Sequence, residues 1–380
     1  MIALVAAAAT ATVLAVVPPY QIESVRLRFT RYEQAGAGYQ SAAAPAGQPG
    51  SERELVEQPQ AEIVARVGER ITERLWVPVD VVTAASPDHS QYGIPVNSLP
   101  PDAISTASRT NVAASVDTLT TYRWDRSTDV FFRAALHLEE PFESWTYGIG
   151  ANRSFAEDNT VVGASLNQVV DWFDHFTLAG HRRGRAGRST TNLNASLTQI
   201  LSPTTIAALS YGGTLQLGTL GNTWSSVPLT DGTRGDERLP RQRLRHALAA
   251  RLAQWLPWEG ALRMSYRAYF DDWSVQAHTL ETHLVQRLTR GLYVRGVYRV
   301  HWQSAVRFFT TGADPADPGE RTADSDLARF VAQTVGGAAS FDVGPSRFAR
   351  NAHVDVGYER YFRSNGLTVD ITTCGLGFTF

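Results

Sequence analysis

The sequence predicts an all-β chain, an antiparallel transmembrane β-barrel of about sixteen strands, on three observations. Almost no helical period survives after residue 20; instead, segments of about 8–17 residues alternate apolar with polar side chains, separated by turn residues. The connections sort by parity, with the long ones on one side. The chain closes on an alternating strand whose last residue is an aromatic, Phe380.

Taken in order, Ile2–Val17 is the only long apolar run, and Pro18-Pro19 follow it. It is too short and too rich in small residues for a comfortable membrane helix. It reads as the hydrophobic stretch of a signal peptide over residues 1–19, although no basic residue precedes it and no A-x-A site ends it. Sixteen segments then read as strands: roughly 25–32, 61–67, 72–82, 111–124, 128–139, 144–155, 160–175, 191–201, 204–217, 242–255, 260–271, 274–288, 291–308, 329–342, 348–363 and 366–380. Many exceed the mean soluble strand of ~5–6 residues and match the ~9–11 that a tilted strand needs to cross a bilayer. The first two are short. Pro78 removes a ladder donor inside the third, where a bulge or break is expected.

The faces are consistent. Segment 128–139 sets Val130, Phe132, Ala134, Leu136 and Leu138 against Arg133, His137 and Glu139. Segment 260–271 sets Leu262, Met264, Tyr266, Ala268 and Phe270 against Arg263, Ser265 and Arg267. In 291–308, Tyr298, Val300 and Trp302 back onto Arg295, Arg299 and His301, and Trp302 is placed near the outer interface. Segment 348–363 sets Val354, Val356 and Tyr358 against His353, Asp355, Gly357 and Glu359. Gln333 breaks the pattern, sharing the parity of Val331 and Val335. In the last segment Cys374, Leu376, Phe378 and Phe380 share a face, while Leu367, Val369 and Ile371 are apolar on the other. Either the register slips near Thr372–Thr373 or Asp370 lies at an aqueous rim. In a membrane barrel the apolar row meets lipid and the polar row the lumen, and closure removes the exposed edges.

The even connections are short: 68–71, 125–127, 156–159, 202–203, 256–259, 289–290 and 343–345. The odd ones include every long one: 33–60, 83–110, 176–190, 218–241 and 309–328, with three short ones around Pro141, Asp272 and Asn365. Short periplasmic turns, longer extracellular loops and both termini on the periplasmic side follow, which places the chain in a bacterial outer membrane.

Composition excludes some functions. The net charge is −2 over 380 residues, so nothing global points to nucleic acid. All 35 basic residues are arginine. The single cysteine, Cys374, rules out an intrachain disulfide.

The opening VRLRFTRYEQ (25–34), the long run of hairpins and the closing GLTVDITTCGLGFTF resemble a bacterial outer-membrane barrel family, domain of unknown function 3570. The resemblance covers nearly all of the mature chain. It implies a barrel and a membrane location but no established activity, substrate or catalytic residue. Some relatives lie alongside extracytosolic redox and flavin-transfer proteins, which implies a context for a partner. The terminal Phe380 resembles the signature read by the barrel assembly machinery.

No cofactor, metal or catalytic residue is expected. His278 and His283, five apart, point to opposite faces of a strand. Asp171, Asp174 and His175 at a strand's outer end offer only a weak cation candidate, and Glu281 with His283, or His301 with Arg299, gives no fixed nucleophile geometry. Gly212-Gly213 and Gly336-Gly337 fall inside strands as bends or close approaches. The basic stretch HRRGRAGR (181–188) reads as an outer loop whose Arg182, Arg183, Arg185 and Arg188 could meet lipopolysaccharide phosphates, or as a solvated loop. The lumen carries the strongest candidate: Arg245, Arg251, Arg263, Arg267, Arg295 and Arg299, with Glu281 and His283 partly compensating, and Asp117, Glu139, Asp171, Asp355 and Glu359 as counter-charges on an opposite arc. The loop 83–110, with Pro87, Pro95, Pro100 and Pro101, could fold inward as a constriction or equally be a disordered surface loop. The expected function is a porin-like passive channel for small solutes, with an arginine lining that favours anionic ones; the alternative is a docking barrel for a secretion or redox assembly with a periplasmic lipoprotein or redox partner.

Overall fold

The computed structural model describes residues 20–36, 54–84, 111–140, 142–176, 182–221, 226–345 and 347–380. The expected signal segment 1–19 and the prolines of the 83–110 loop lie outside these residues.

The strands run in chain order as β1 Tyr20–Ala35, β2 Glu54–Val67, β3 Ile71–Ala84, β4 Asn111–Arg123, β5 Thr128–Glu139, β6 Phe142–Phe155, β7 Thr160–Phe176, β8 Arg182–Ser202 and β9 Thr205–Gly218. The small hairpin β10 Ser226–Pro228 and β11 Arg234–Asp236 follows, then β12 Gln242–Leu256, β13 Gly260–Asp271, β14 Gln276–Arg287, β15 Leu292–Gln303, β16 Phe330–Gly344, β17 Asn351–Arg363 and β18 Thr368–Thr379. Sixteen of them close one antiparallel barrel in simple up-and-down order, with β9 beside β12 and β1 beside β18. Closure pairs every strand on both sides, which is why long amphipathic strands persist here without an exposed edge.

Strand ends differ from the sequence reading where alternation stops being apolar. β1 and β2 are far longer than their apolar cores, so the connection between them shrinks to 36–53. The stretch RRGRAGR is not a loop: it is the first third of the 21-residue β8, paired to β7 through Asp171↔Arg188 and Asp174↔Arg185. β15 stops at Gln303, and residues 304–308 leave the barrel wall. Pro78 breaks the ladder to β4 without shifting it: Trp76 pairs Asp117 and the next paired residue is Val79 with Ala114. β18 keeps one register against both neighbours, so no slip occurs near Thr372–Thr373. Asp370 instead stays on the outer parity at the loop end, where Tyr358 Oη donates to it and Arg360 lies 3.8 Å away.

The outer surface is apolar and rimmed by aromatics. Leu27, Phe132, Leu193, Leu248, Met264, Leu284, Val335 and Leu376 are among its exposed side chains. Near the loop end, Tyr211 Oη bonds His246 Nδ1 (2.8 Å) and Tyr266 Oη bonds His278 Nδ1 (2.7 Å). Trp302 stacks on His278 at 5.7 Å between centroids, continuing that belt. Trp124, Trp258 and Phe348 project at the turn end. Tyr298 Oη donates to Gln333 Oε1 (3.0 Å), which accounts for the polar residue on the outer row of β16.

Gly218 ends β9 with φ of +118° and lies so close to β8 that an added Cβ would sit 2.4 Å from the Gly187 carbonyl oxygen. Only glycine meets both demands. Gly218→Ala is expected to cost about 1–3 kcal/mol, from strain and overpacking together. Urea titration of the folded barrel, followed by its heat-modifiable gel mobility, checks this.

Candidate functional site

The interior is defined by parity. The residues that oppose the exposed apolar rows point inward, and on β12 and β13 these include Arg243, Arg245, Arg251, Arg263, Arg267, Tyr269 and Asp271. The register staggers four guanidinium-bearing positions down one groove. Arg245 pairs Asp271 near the loop end, Arg267 lies opposite Ala249, Arg251 opposite Ser265 and Arg263 opposite Ala253. Small residues across the ladder leave Arg267, Arg251 and Arg263 room to reach into the lumen. Successive steps among the lower three are two residues, or ~7 Å along the strand. Among the described residues these four make no ion pair, and the Arg245 Nε is buried without a hydrogen-bond partner.

Arg295 and Arg299 on β15 behave differently. Arg295 lies 3.6 Å from Glu359 on β17, reaching across β16. Gly336 makes that possible, because a Cβ there would sit 2.6 Å from the Glu359 Cγ. Arg299 lies 3.9 Å from Glu281, which also bonds His283 Nε2 at 2.7 Å. The six sequence-predicted arginines therefore form two groups, four free and two compensated.

The carboxylates do not gather on one opposite arc. Asp117 accepts from Arg133 (Nη2, 2.5 Å), and Asp171 accepts from Arg188 Nε (2.6 Å), each on an adjacent strand. Glu139 stands 3.6 Å from His137. Asp355 and Glu359 are two strands from β15, on the arginine side, and Asp355 lines a cavity of about 580 Å³ with Arg26, Arg28, Arg74, Arg263 and Arg295. Asp117, Asp171 and Glu359 are thus matched by arginines on nearby strands, while the four arginines of β12 and β13 form no ion pair among the described residues.

At the loop end, residues 219–221 and 226–241 pack with 304–329 into a cap. Bridges Leu229↔Ala313 and Arg238↔Arg321 hold the two together, and Phe309↔Thr322 closes the second segment on itself. Val227, Leu229, Ala313 and Ala323 form one buried cluster; Trp273, Val275, Val306 and Phe308 form a second that packs on inward-facing Tyr269. Burial, helped by the charge of Arg238, pulls the Arg321 guanidinium below its ordinary value. Two anchors fix the cap to the wall. Asp271 accepts from Arg243 Nε (2.8 Å), Tyr269 Oη (2.8 Å), Trp273 N (3.0 Å) and Val275 N (2.9 Å). Arg363 donates to Asp326 (2.6 Å), Ser325 (3.0 Å) and Asn365 (2.8 Å) and lies 4.6 Å from the Phe330 ring centroid. Asp326 thereby lines a cavity of about 500 Å³ with Glu281, Arg299 and Tyr361.

The family model described as "Protein of unknown function (DUF3570)" matches residues 21–373, almost the entire barrel. The chain belongs to the DUF3570 family. No curated protein matches it. Among solved structures, Pseudomonas aeruginosa OccD3 (OpdP) is 9% identical at TM-score 0.46, covering 97% of this chain and 93% of that one. The P. aeruginosa outer membrane protein OpdK is 8% identical at TM-score 0.45, covering 96% and 100%. A bacterial polysaccharide outer membrane secretin is 8% identical at TM-score 0.45, covering 94% and 98%. At such identities and scores the likeness carries nothing about solute, partner or mechanism.

Elsewhere in this DUF3570 barrel, the basic stretch of β8 is already engaged. Arg182 bonds Asp174 (2.6 Å), Arg183 bonds Asp236 (2.6 Å), Arg185 bonds Glu143 (2.9 Å), and Arg188 faces inward onto Asp171. Asp171 and Asp174 sit on opposite faces of β7, so they do not converge on a cation. Asp271, Arg243 and Arg363 are the residues that sequence reasoning missed. A signal was present in residues 304–329: Val306, Phe308 and Phe309 are too apolar for a freely solvated loop.

Proposed function

We propose that this DUF3570 barrel is a passive channel of the bacterial outer membrane for small anionic solutes, with the groove of Arg245, Arg267, Arg251 and Arg263 as its selective element. The observation that carries this reading is that none of these four lumen-facing guanidinium groups forms an ion pair among the described residues, Asp271 beside Arg245 being taken by Arg243. In a narrow passage with low-dielectric walls, uncompensated positive charge lowers the entry cost for anions and raises it for cations. The apolar outer surface with its two aromatic rims supports the membrane location. The last residue, Phe380, whose N–H donates to the Glu23 carbonyl (3.0 Å), would be the element read during membrane assembly. Selection is by charge and width, and no bond is made or broken.

The test is conductance. Full-length protein in planar bilayers is expected to give discrete current steps. Silent bilayers with a co-purifying lipoprotein or redox partner would favour the docking barrel instead.

A further inference from the structure

The arginine groove borders a wall of unusual chemistry. On β6 to β9, inside the bulge at which Arg183 turns to Asp236 of the cap, the inward charged side chains among the described residues are Asp171 and Arg188, bonded to each other at the loop end. Below that pair the inward residues of the middle rows are amides, hydroxyls and glycines, with Val169 above them and Val161, Ile200, Ile206 and Ala208 below. Thr214 pairs Asn192, which pairs Asn167; Gly212 pairs Asn194, which pairs Ser165; Ser210 pairs Ser196, which pairs Gly163, beside Asn152. The glycines recess the wall: a Cβ on Gly163 would sit 2.4 Å from Asn152 Oδ1 and 2.8 Å from Ser196 Oγ, so both side chains lie flat across it. The top of this wall meets Arg245 through Thr214, and its middle meets Arg251 and Arg267 through Ala208 and Ser210.

The two surfaces share one cavity of about 530 Å³, whose charged lining residues are Arg245, Arg251 and Arg267 alone. That volume falls in the ~300–1,000 Å³ range of small-molecule sites. Guanidinium groups bind carboxylate and phosphate alike. The neighbouring wall discriminates between them. Asn and Ser side chains each offer a donor and an acceptor, which match hydroxyl groups, whereas a bare phosphate offers chiefly acceptors and would leave the amide and hydroxyl oxygens unanswered. Polar lining groups left unmatched by a dehydrated solute cost it affinity.

We infer that the cavity between β6–β9 and the β12–β13 arginines is a binding subsite for polyhydroxylated carboxylates, the sugar-acid class, held by Arg251 and Arg267 at the carboxylate and by Asn152, Asn194, Ser165 and Ser196 at the hydroxyls. It deepens the anion-channel reading and rests on it for its purpose, but binding itself is separable from conduction.

The experiment is equilibrium titration calorimetry of the detergent-folded full chain with D-gluconate, butyrate, D-glucose and inorganic phosphate. Gluconate is expected to bind at least about tenfold more tightly than each of the other three, because each lacks one half of the match. The double variant Arg251→Gln/Arg267→Gln should lose gluconate binding by about tenfold or more. The triple variant Asn152→Ala/Asn194→Ala/Ser165→Ala should bring gluconate down to the level of butyrate and leave butyrate unchanged. Heat-modifiable gel mobility reports whether each variant is folded; if the triple variant is not, Ser165→Ala alone should weaken gluconate and not butyrate. Equal binding of gluconate with butyrate or with phosphate overturns the subsite. Gluconate binding with silent bilayers would retain the subsite and remove the channel; conduction without gluconate preference would do the reverse.

Discussion

Asp271→Ala is expected to lower the stability of the folded barrel by about 3–5 kcal/mol, the range for removing one partner of a buried ion pair. The Asp271 side chain has no exposure, and that of Arg243 is 10% exposed. Both carboxylate oxygens are in use, one on Arg243 and Tyr269, the other on the Trp273 and Val275 amides. Deletion strands the Arg243 guanidinium against the Trp273 ring, 4.3 Å from its centroid, with no anion near it. It also frees the turn between β13 and β14, on which the cap's second buried cluster rests. Asp271→Asn keeps the shape and an acceptor, so it should lose less. Urea titration of both variants, read by gel mobility, checks the order wild type, Asn, Ala. A Stability loss for Ala within 0.5 kcal/mol, the ordinary range for a neutral surface change, would remove Asp271 from this role.

Arg363→Ala should open the loop end. Arg363 bonds both Ser325 and Asp326 from the wall, and its side chain is 3% exposed. Asp326 is 77% exposed, so much of the charge attraction is screened and the anchor is worth less than the Asp271 site. Loss of the charge-assisted bonds is expected to cost about 1.5–3 kcal/mol of cap closure. Every 1.4 kcal/mol is about a tenfold change in the closed-to-open ratio. Gln303 Nε2 still donates to the Asp326 and Ala328 carbonyls (2.7 and 2.9 Å), so the turn remains tethered rather than lost. The measurable results are a larger mean conductance, noisier open-channel current and faster protease cleavage within residues 304–329. Unchanged conductance and cleavage would show that this turn does not narrow the passage.

The wall of this barrel is legible in the sequence because a strand has a period of two and one face meets lipid. Tyr298, Val300 and Trp302 against Arg295, Arg299 and His301 needs no tertiary information. The rule fails where the apolar row ends. RRGRAGR carries glycine and arginine on both parities, so the extension of β8 beyond the apolar band left no trace, although it pairs with β7 to its first residue. Inward-facing Leu367, Val369 and Ile371 misled for the converse reason: apolar residues near the loop end pack inside the barrel rather than toward lipid, and Leu367 and Val369 are buried. The arginines were visible by parity, but their partners were not. Whether Arg295 meets Glu359 depends on the register of two strand pairs and on Gly336 between them. The cap was hidden for a similar reason, since Arg238 and Arg321 pair across 83 residues of chain.

The central claim is that uncompensated lumen arginines make this barrel an anion-preferring channel. The reversal potential in planar bilayers under a potassium chloride gradient tests it most directly, on the wild type and on the Arg245→Gln/Arg251→Gln/Arg263→Gln/Arg267→Gln variant. The wild type should reverse toward the chloride equilibrium potential, and the variant should move toward zero while its current steps persist. A wild type that reverses toward the potassium potential, or a variant with an unchanged reversal potential, would contradict it.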